Sequence, residues 1–319
     1  MKFLMRLLTA ALVLVAEAWA QPVRIEVDAP QAVFLSGETV QLLVRIKNAS
    51  GRRLHFGDDP EWLRFSLSTQ DRKQVPKLRA LDVSSEFDLE PGFEGIRKVE
   101  VTPAYDLNAT GFYTATATVR VRELGVELTS PVPFRFEVVR GLRLWEAEFG
   151  VPPRAGEAAA APETRRFAII QLRMADQIRL YYRLADASDQ NPIRAVSLGT
   201  YVAFAAPEAQ MDRYSNLHVL YQSYRRSFTH CIVTADGELI GRATYDFGNS
   251  RPILKLDERD RVVVSGGLRL VSTNDLPPYD PRMFPKPPPP QAPVTGPPTK
   301  DDEKKASTKK EPVGIKPKK

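Results

Sequence analysis

Four side chains in this 319-residue chain are suited to metal ligation, nucleophilic attack or proton transfer near neutral pH: His55, His218, His230 and Cys231. His230 and Cys231 are adjacent, so on a strand they point to opposite faces and are poorly placed to ligate one ion together. His218 stands in Leu217–Tyr221, LHVLY, with Leu217 and Val219 on the face opposite to it. The chain contains no HExxH, GxSxG, P-loop or paired CxxC, so no local catalytic or zinc motif is present. A triad assembled from distant residues needs no such motif and stays open. The expectation is that each histidine is structural, that Cys231 is a small buried hydrophobe, and that there is no metal, cofactor or catalytic residue. Oxygen-rich clusters at Asp58-Asp59-Pro60-Glu61 and Asp257-Glu258-Arg259-Asp260 lack the spacing of a calcium loop and are expected as solvated turns.

Aromatic chemistry is concentrated in one region. Tyr181, Tyr182, Tyr201, Tyr214, Tyr221, Tyr224 and Tyr245 are seven of the ten tyrosines. Amphipathic rings on a sheet face can stack on sugars or form an interface hot spot, and they are also good strand residues. Tyr221, Tyr224 and Tyr245, with Arg225 and Arg226 nearby, form the expected binding subset.

The elements that must position these residues are strands. From Tyr113 to Arg122 apolar and polar residues alternate, with Tyr113, Ala115, Ala117, Val119 and Val121 on one face. Similar alternation at Val23–Val27 and Val40–Lys47, with runs at Arg53–Phe56, Trp62–Ser68, Ile96–Val101 and Val132–Val139, predicts about seven strands over residues 21–140. Leu107 stands six residues before Tyr113, with Gly111 between them. This spacing resembles the tyrosine corner of immunoglobulin-like and fibronectin-like sandwiches, in which the tyrosine hydroxyl bonds back to upstream backbone. GETV followed by NASG likewise resembles the opening strands of bacterial Ig-like domains. The resemblance implies an Ig-like β-sandwich scaffold. The chain has no Cys–Trp–Cys set, so a true immunoglobulin domain is not implied.

Residues 141–166, with Pro152-Pro153, Gly156 and four consecutive alanines from Ala158, are expected as a linker, in which Leu142–Phe149 forms a short helix or strand. Residues 167–275 are expected as a second β domain. Predicted strands are Phe167–Leu172, Ile178–Leu184, Arg194–Leu198, Tyr201–Ala205, Leu217–Tyr221, Phe228–Thr234, Leu239–Tyr245, Ile253–Leu256 and Arg261–Val264. Asp236-Gly237 marks a hairpin. The order LHVLY, THCIVTADGELIGRATY, RPILKLDERDRVVVSGG resembles β-propeller blades. Two or three blades do not close a propeller, so an open antiparallel meander is expected, with closure by self-association as a hypothesis.

The sequence pI of 9.3 points toward nucleic acid until the charge is located. Residues 276–319 carry a net charge of +5, the first twenty carry +1, and 21–275 are neutral. No basic groove on a folded surface is implied, so no nucleic-acid partner is expected. Lys2 and Arg6, the apolar run Leu7–Ala16 and Ala18-Trp19-Ala20 form a secretory signal peptide with cleavage after Ala20, an uncleaved anchor being the alternative. No later apolar run approaches the roughly 20 residues of a membrane span. Thirteen of the 27 prolines and nine lysines fall in 276–319, which is expected as a disordered tail that either lies along anionic envelope polymer or acts as a spacer.

The sequence therefore implies an all-β, exported periplasmic or extracellular protein without enzymatic activity. It would act in adhesion, scaffolding or binding of a protein or cell-envelope polymer. The alternatives are a carbohydrate-binding module using the tyrosine face and, third, an enzyme with a site in the second β domain.

Overall fold

A computed structural model describes residues 22–151 and 163–276. The leader and its cleavage site, residues 152–162 of the expected linker and the tail beyond Leu276 lie outside the described residues.

The first ten strands are β1 (Val23–Asp28), β2 (Val33–Leu35), β3 (Gln41–Asn48), β4 (Leu54–Phe56), β5 (Leu63–Thr69), β6 (Phe87–Leu89), β7 (Glu94–Glu100), β8 (Gly111–Val121), β9 (Val126–Thr129) and β10 (Phe134–Val139). They form one sheet of order β1-β3-β7 and another of order β2-β10-β8-β5, with β9 on β8 and a small β4-β6 ladder. Alternation in β8 has the expected result: Tyr113, Ala115, Ala117, Val119 and Val121 are all buried. They meet Ile25, Leu42, Val44 and Ile46 of the facing sheet in one core. The Tyr113 hydroxyl donates to the carbonyl of Ala109 at 2.7 Å, which fixes the entry into β8.

The segment expected as a linker begins and ends in strands. β11 (Leu142–Gly150) pairs along β12 (Thr164–Arg173), so only its middle joins them, and the open choice at Leu142–Phe149 resolves as strand. The strand exists because Phe149 and Trp145 pack onto the second core. β13 (Ile178–Asp186) and β14 (Pro192–Thr200) complete a sheet of order β11-β12-β13-β14. The second sheet holds β15 (Glu208–Met211), β16 (Leu217–Gln222), β17 (Ser227–Val233) and β18 (Leu239–Asp246). After the hairpin of β19 (Ile253–Leu256) and β20 (Val262–Ser265), β21 (Leu268–Leu270) returns to pair with β18.

These two meanders close on each other, so the hypothesis of closure by a second copy is not needed. Phe167, Ile169, Tyr182 and Leu184 face Leu217, Val219, Tyr221, Cys231 and Val233 across one core. Buried tyrosine hydroxyls need partners, and here they bridge the sheets. Tyr182 donates to the Gly237 carbonyl at 2.8 Å, and Tyr221 donates to the Leu198 carbonyl at 2.5 Å. Burial pushes the Tyr182 hydroxyl up to about 12 and the Cys231 thiol up to about 11, so both stay protonated at neutral pH.

One predicted strand is absent. Tyr201–Ala205 is a loop, because the Tyr201 hydroxyl turns back onto the Ala205 carbonyl at 2.7 Å and a single bond, Val202 N–H to the Gln222 carbonyl at the end of β16, ties it to that strand in place of a ladder. Three hairpin tips share one design. In Asp212–Asn216, Thr234–Glu238 and Asp257–Arg261 the first N–H donates to the last carbonyl at 2.9 Å. The fourth residue, Ser215, Gly237 or Asp260, takes a positive φ of 62°, 74° or 54°. Asp58 and Asp59 pair with Arg122 and Arg120, and Asp257 accepts loop N–H groups, so both acidic clusters organise turns.

The sandwich and the second domain share a small core of their own. Leu35 packs with Ala168, Ile170, Leu172, Tyr181 and Ala195. Two glycines permit this approach. A Cβ on Gly37 (φ +88°) would sit 2.6 Å from Pro192 Cβ, and one on Gly141 (φ +67°) would sit 2.5 Å from Ile170 Cγ2. The Tyr181 hydroxyl reaches Glu38 Oε1 at 3.3 Å, and burial pushes the Glu38 carboxyl above its ordinary range.

Candidate functional site

β16 and β17 are antiparallel, with His218 opposite Ile232 and Leu220 opposite His230. His218 and His230 are therefore diagonal neighbours on the face turned away from the tyrosine core. Their rings stack at 5.2 Å with an interplanar angle of 24°, and His218 Nδ1 lies 3.1 Å from His230 Nε2. His218 Nε2 lies 3.4 Å from Asp212 Oδ2. Asp212 opens a hairpin tip, and its carboxylate also accepts the N–H groups of Tyr214 at 2.8 Å and Asn216 at 2.9 Å. With both rings neutral, His218 donates from Nε2 to Asp212 and accepts at Nδ1 from His230 Nε2.

The electrostatics of this row are set by burial. Desolvation lowers His218 despite Asp212, and it pushes His230 down to about 3, with the charge of a protonated His218 as the second cause. A row of carboxylate and two imidazoles has the parts of a proton relay. Among the described residues no hydroxyl or thiol is hydrogen-bonded to His230 beyond His218, and no group of three His, Cys, Asp or Glu side chains is placed to hold a metal ion. Cys231 points into the opposite core, as adjacency on a strand requires. His55 lies apart on β4, where its Nδ1 is 2.8 Å from Asp88 Oδ1 and that partner raises its pKa.

The expected binding subset is divided. Tyr221 is a core residue, only 2% exposed. Tyr245 pairs with Phe228, which pairs with Gln222, so Tyr245 lies on the face away from Tyr221. It is half-buried, with Arg269 at 5.6 Å from its ring centroid. Tyr221, Tyr224 and Tyr245 therefore make no common platform. Strand parity is the reason: odd positions of β16 and even positions of β17 face opposite ways.

Tyr224, Arg225 and Arg226 form the exposed tip between β16 and β17. The expected subset missed what surrounds them. Val202 N–H donates to the Gln222 carbonyl and Phe247 N–H to the Arg226 carbonyl, each at 2.9 Å, so two further loops join that end. Phe204 is 83% exposed, Tyr224 73% and Phe247 42%. Arg226 reaches Asp246 at 3.6 Å, while Arg225 makes no ion pair among the described residues. Phe204 was hidden from sequence reasoning because Tyr201–Ala205 was expected as a strand.

No family model and no curated protein matches the chain. Among solved structures, the sporulation control protein Spo0M of Bacillus subtilis is similar, at 11% identity and a TM-score of 0.27, over 56% of this chain and 89% of that one. The YadV chaperone is similar at 8% identity and a TM-score of 0.23, over 70% and 98% of the two chains. A complex of the SafA pilin with the SafB chaperone of Salmonella enterica gives 12% identity and a TM-score of 0.21, over 70% and 95%. Similarity at this level transfers neither fold nor function to this chain.

Proposed function

We propose that this protein is a non-catalytic, exported partner-binding module that presents its contact surface on the loops around Tyr224. One observation carries the reading. Phe204, Tyr224 and Phe247 stand exposed at one end of the second domain, beside the unpaired Arg225. Exposed aromatics next to arginine are the composition of interface hot spots, and a solvent-facing Phe204 has no role in the protein's own core. The N-terminal half serves as a rigid scaffold. An immunoglobulin-like reading of it is supported by the sheet order β2-β10-β8-β5 and by the Tyr113–Ala109 hydrogen bond. The address rests on the leader sequence in residues 1–20, and no helix among the described residues is long and apolar enough to cross a membrane. Neutrality over 21–275 supports a protein or envelope partner over nucleic acid.

The histidine row supports a non-catalytic reading as well. His218 and His230 are buried, and neither they nor Asp212 line the cavity of about 250 Å³ at Arg183 or that of about 480 Å³ at Phe112, two of the cavities among the described residues.

A photo-crosslinking residue placed at Tyr224 in the exported chain tests the proposal, with one at Lys98 on the scaffold as control. A discrete adduct from position 224 alone, lost in a Phe204→Ser background, is expected. Identical adducts at both positions, or none, would overturn it. A glycan array with wild type and Tyr224→Ala separates the carbohydrate alternative.

A further inference from the structure

We infer that the seam between the sandwich and the second domain holds a binding site for a small oxyanion, a phosphate or carboxylate group. This site is separate from the Tyr224 surface. A cavity of about 250 Å³ lies at the seam, lined among others by Ser36, Asn108, Arg140, Arg143, Arg183 and Asp189. Three arginines, set against Asp189 and the Glu146 carboxylate that pairs with Arg143, leave its wall a net positive charge.

The charges are held in place by the fold. Arg183 lies on β13 opposite Ala168 and Ala195, whose small side chains leave room for it beside the shared core. Its residue is only 6% exposed, and its Nη2 donates to Asp189 Oδ1. Its buried Nε has no hydrogen-bond partner. Arginine cannot shed its charge, and of the four buried guanidinium Nε atoms without a partner among the described residues, those of Arg166, Arg183, Arg242 and Arg251, only that of Arg183 belongs to a residue lining this cavity. Asp189 also accepts from Arg143 Nη2 at 2.5 Å, and it sits at a positive φ of 62°. That turn holds one carboxylate between two guanidinium groups; Arg143 is also engaged by Glu146, and the N–H left without a partner is Arg183 Nε.

From the sandwich side comes Arg140, exposed and without an ion pair among the described residues. It immediately precedes Gly141, whose φ of +67° and contact with Ile170 bring the chain against the second domain. The Asn108 and Gln190 amides line the same cavity and donate no side-chain hydrogen bond among the described residues. The wall thus joins fixed guanidinium forks with neutral donors. That combination matches an oxyanion through charge-assisted and bidentate hydrogen bonds. Because the arginines come from both sides of the seam, bound anion would also clamp the two halves together.

The full chain is titrated with inorganic phosphate and, separately, with N-acetylglycine as a mimic of a peptide carboxyl terminus. Binding is read by calorimetry and melting temperature, with ionic strength held constant by sodium chloride. Saturable binding of at least one probe, with a rise in melting temperature, is expected. Arg140→Ala should weaken it at least tenfold while leaving the melting temperature without ligand unchanged, because Arg140 is exposed and unpaired. Arg183→Lys should also weaken it, since lysine lacks the fork. Binding of phosphate alone assigns a phosphate group, and binding of N-acetylglycine alone assigns a carboxyl terminus. Binding of neither, or binding that Arg140→Ala leaves unchanged, would show that the arginines serve only the Asp189 turn.

Discussion

Acid should destabilise this protein through His230 above the pH range in which ordinary carboxylates protonate. In the folded chain His230 is buried and titrates at about 3, whereas in the unfolded chain a histidine titrates at about 6.5. The folded value is depressed, so its contribution is fully present above the unfolded value and is lost as pH falls from about 6.5 toward 3. In that window the unfolded chain takes a proton that the native chain refuses. Each pH unit costs about 1.4 kcal/mol once below the unfolded value, so from pH 7 to pH 5 His230 alone removes about 2 kcal/mol. His218 is lowered as well, by burial, and acts in the same direction. His55 is raised by Asp88 and acts oppositely, but it is exposed and is common to wild type and variant. Urea unfolding between pH 5 and 7, followed by tryptophan fluorescence, should show the wild type losing about 2 kcal/mol more than His230→Gln, which has no group to titrate. Parallel pH dependences would mean that His230 accepts a proton in the folded state, and the structural account of the row would fail.

Two further outcomes follow from the packing. Gly141→Ala should destabilise the protein by about 1–3 kcal/mol, because its Cβ meets Ile170 and the backbone sits at φ +67°; loss of cooperativity between the halves in a calorimetric scan would be the signature. Tyr221→Phe should cost about 1–2 kcal/mol in urea unfolding, as the Leu198 carbonyl loses the hydroxyl that crosses between the sheets; an unchanged midpoint would show that Arg242, 3.3 Å from the same carbonyl, satisfies it alone.

Local chemistry determined much of this fold. Period-two alternation located β1, β3 and β8, and Asp236-Gly237 located the β17–β18 turn, because strand faces and positive-φ turns are written in neighbouring residues. Adjacency was enough to separate His230 from Cys231. Strands β2, β6, β9, β15 and β21, three or four residues long, were not read from the sequence, whereas the equally short β4, β19 and β20 were, since turn residues bound them. β11 was only half legible: its exposed, charged outer face resembles a linker, and its pairing with β12 is what makes it a strand.

The candidate sites depended on register. A hairpin turning about Arg225 pairs 218 with 232, which makes His218 and His230 neighbours and sends Tyr221 into the core. That signal was present in the sequence but needed the turn position to within one residue, because a one-residue slip exchanges the two faces. The grouping of Phe204 with Tyr224 and Phe247, and of Arg140 with Arg143 and Arg183, has no sequence signal at all. These residues come together only when separate loops and separate sheets pack. Sequence thus determined strands, faces and turns, which depend on neighbours along the chain. Tertiary structure alone decided which side chains share a site, since that depends on long-range pairing and on the glycines that let the two halves meet.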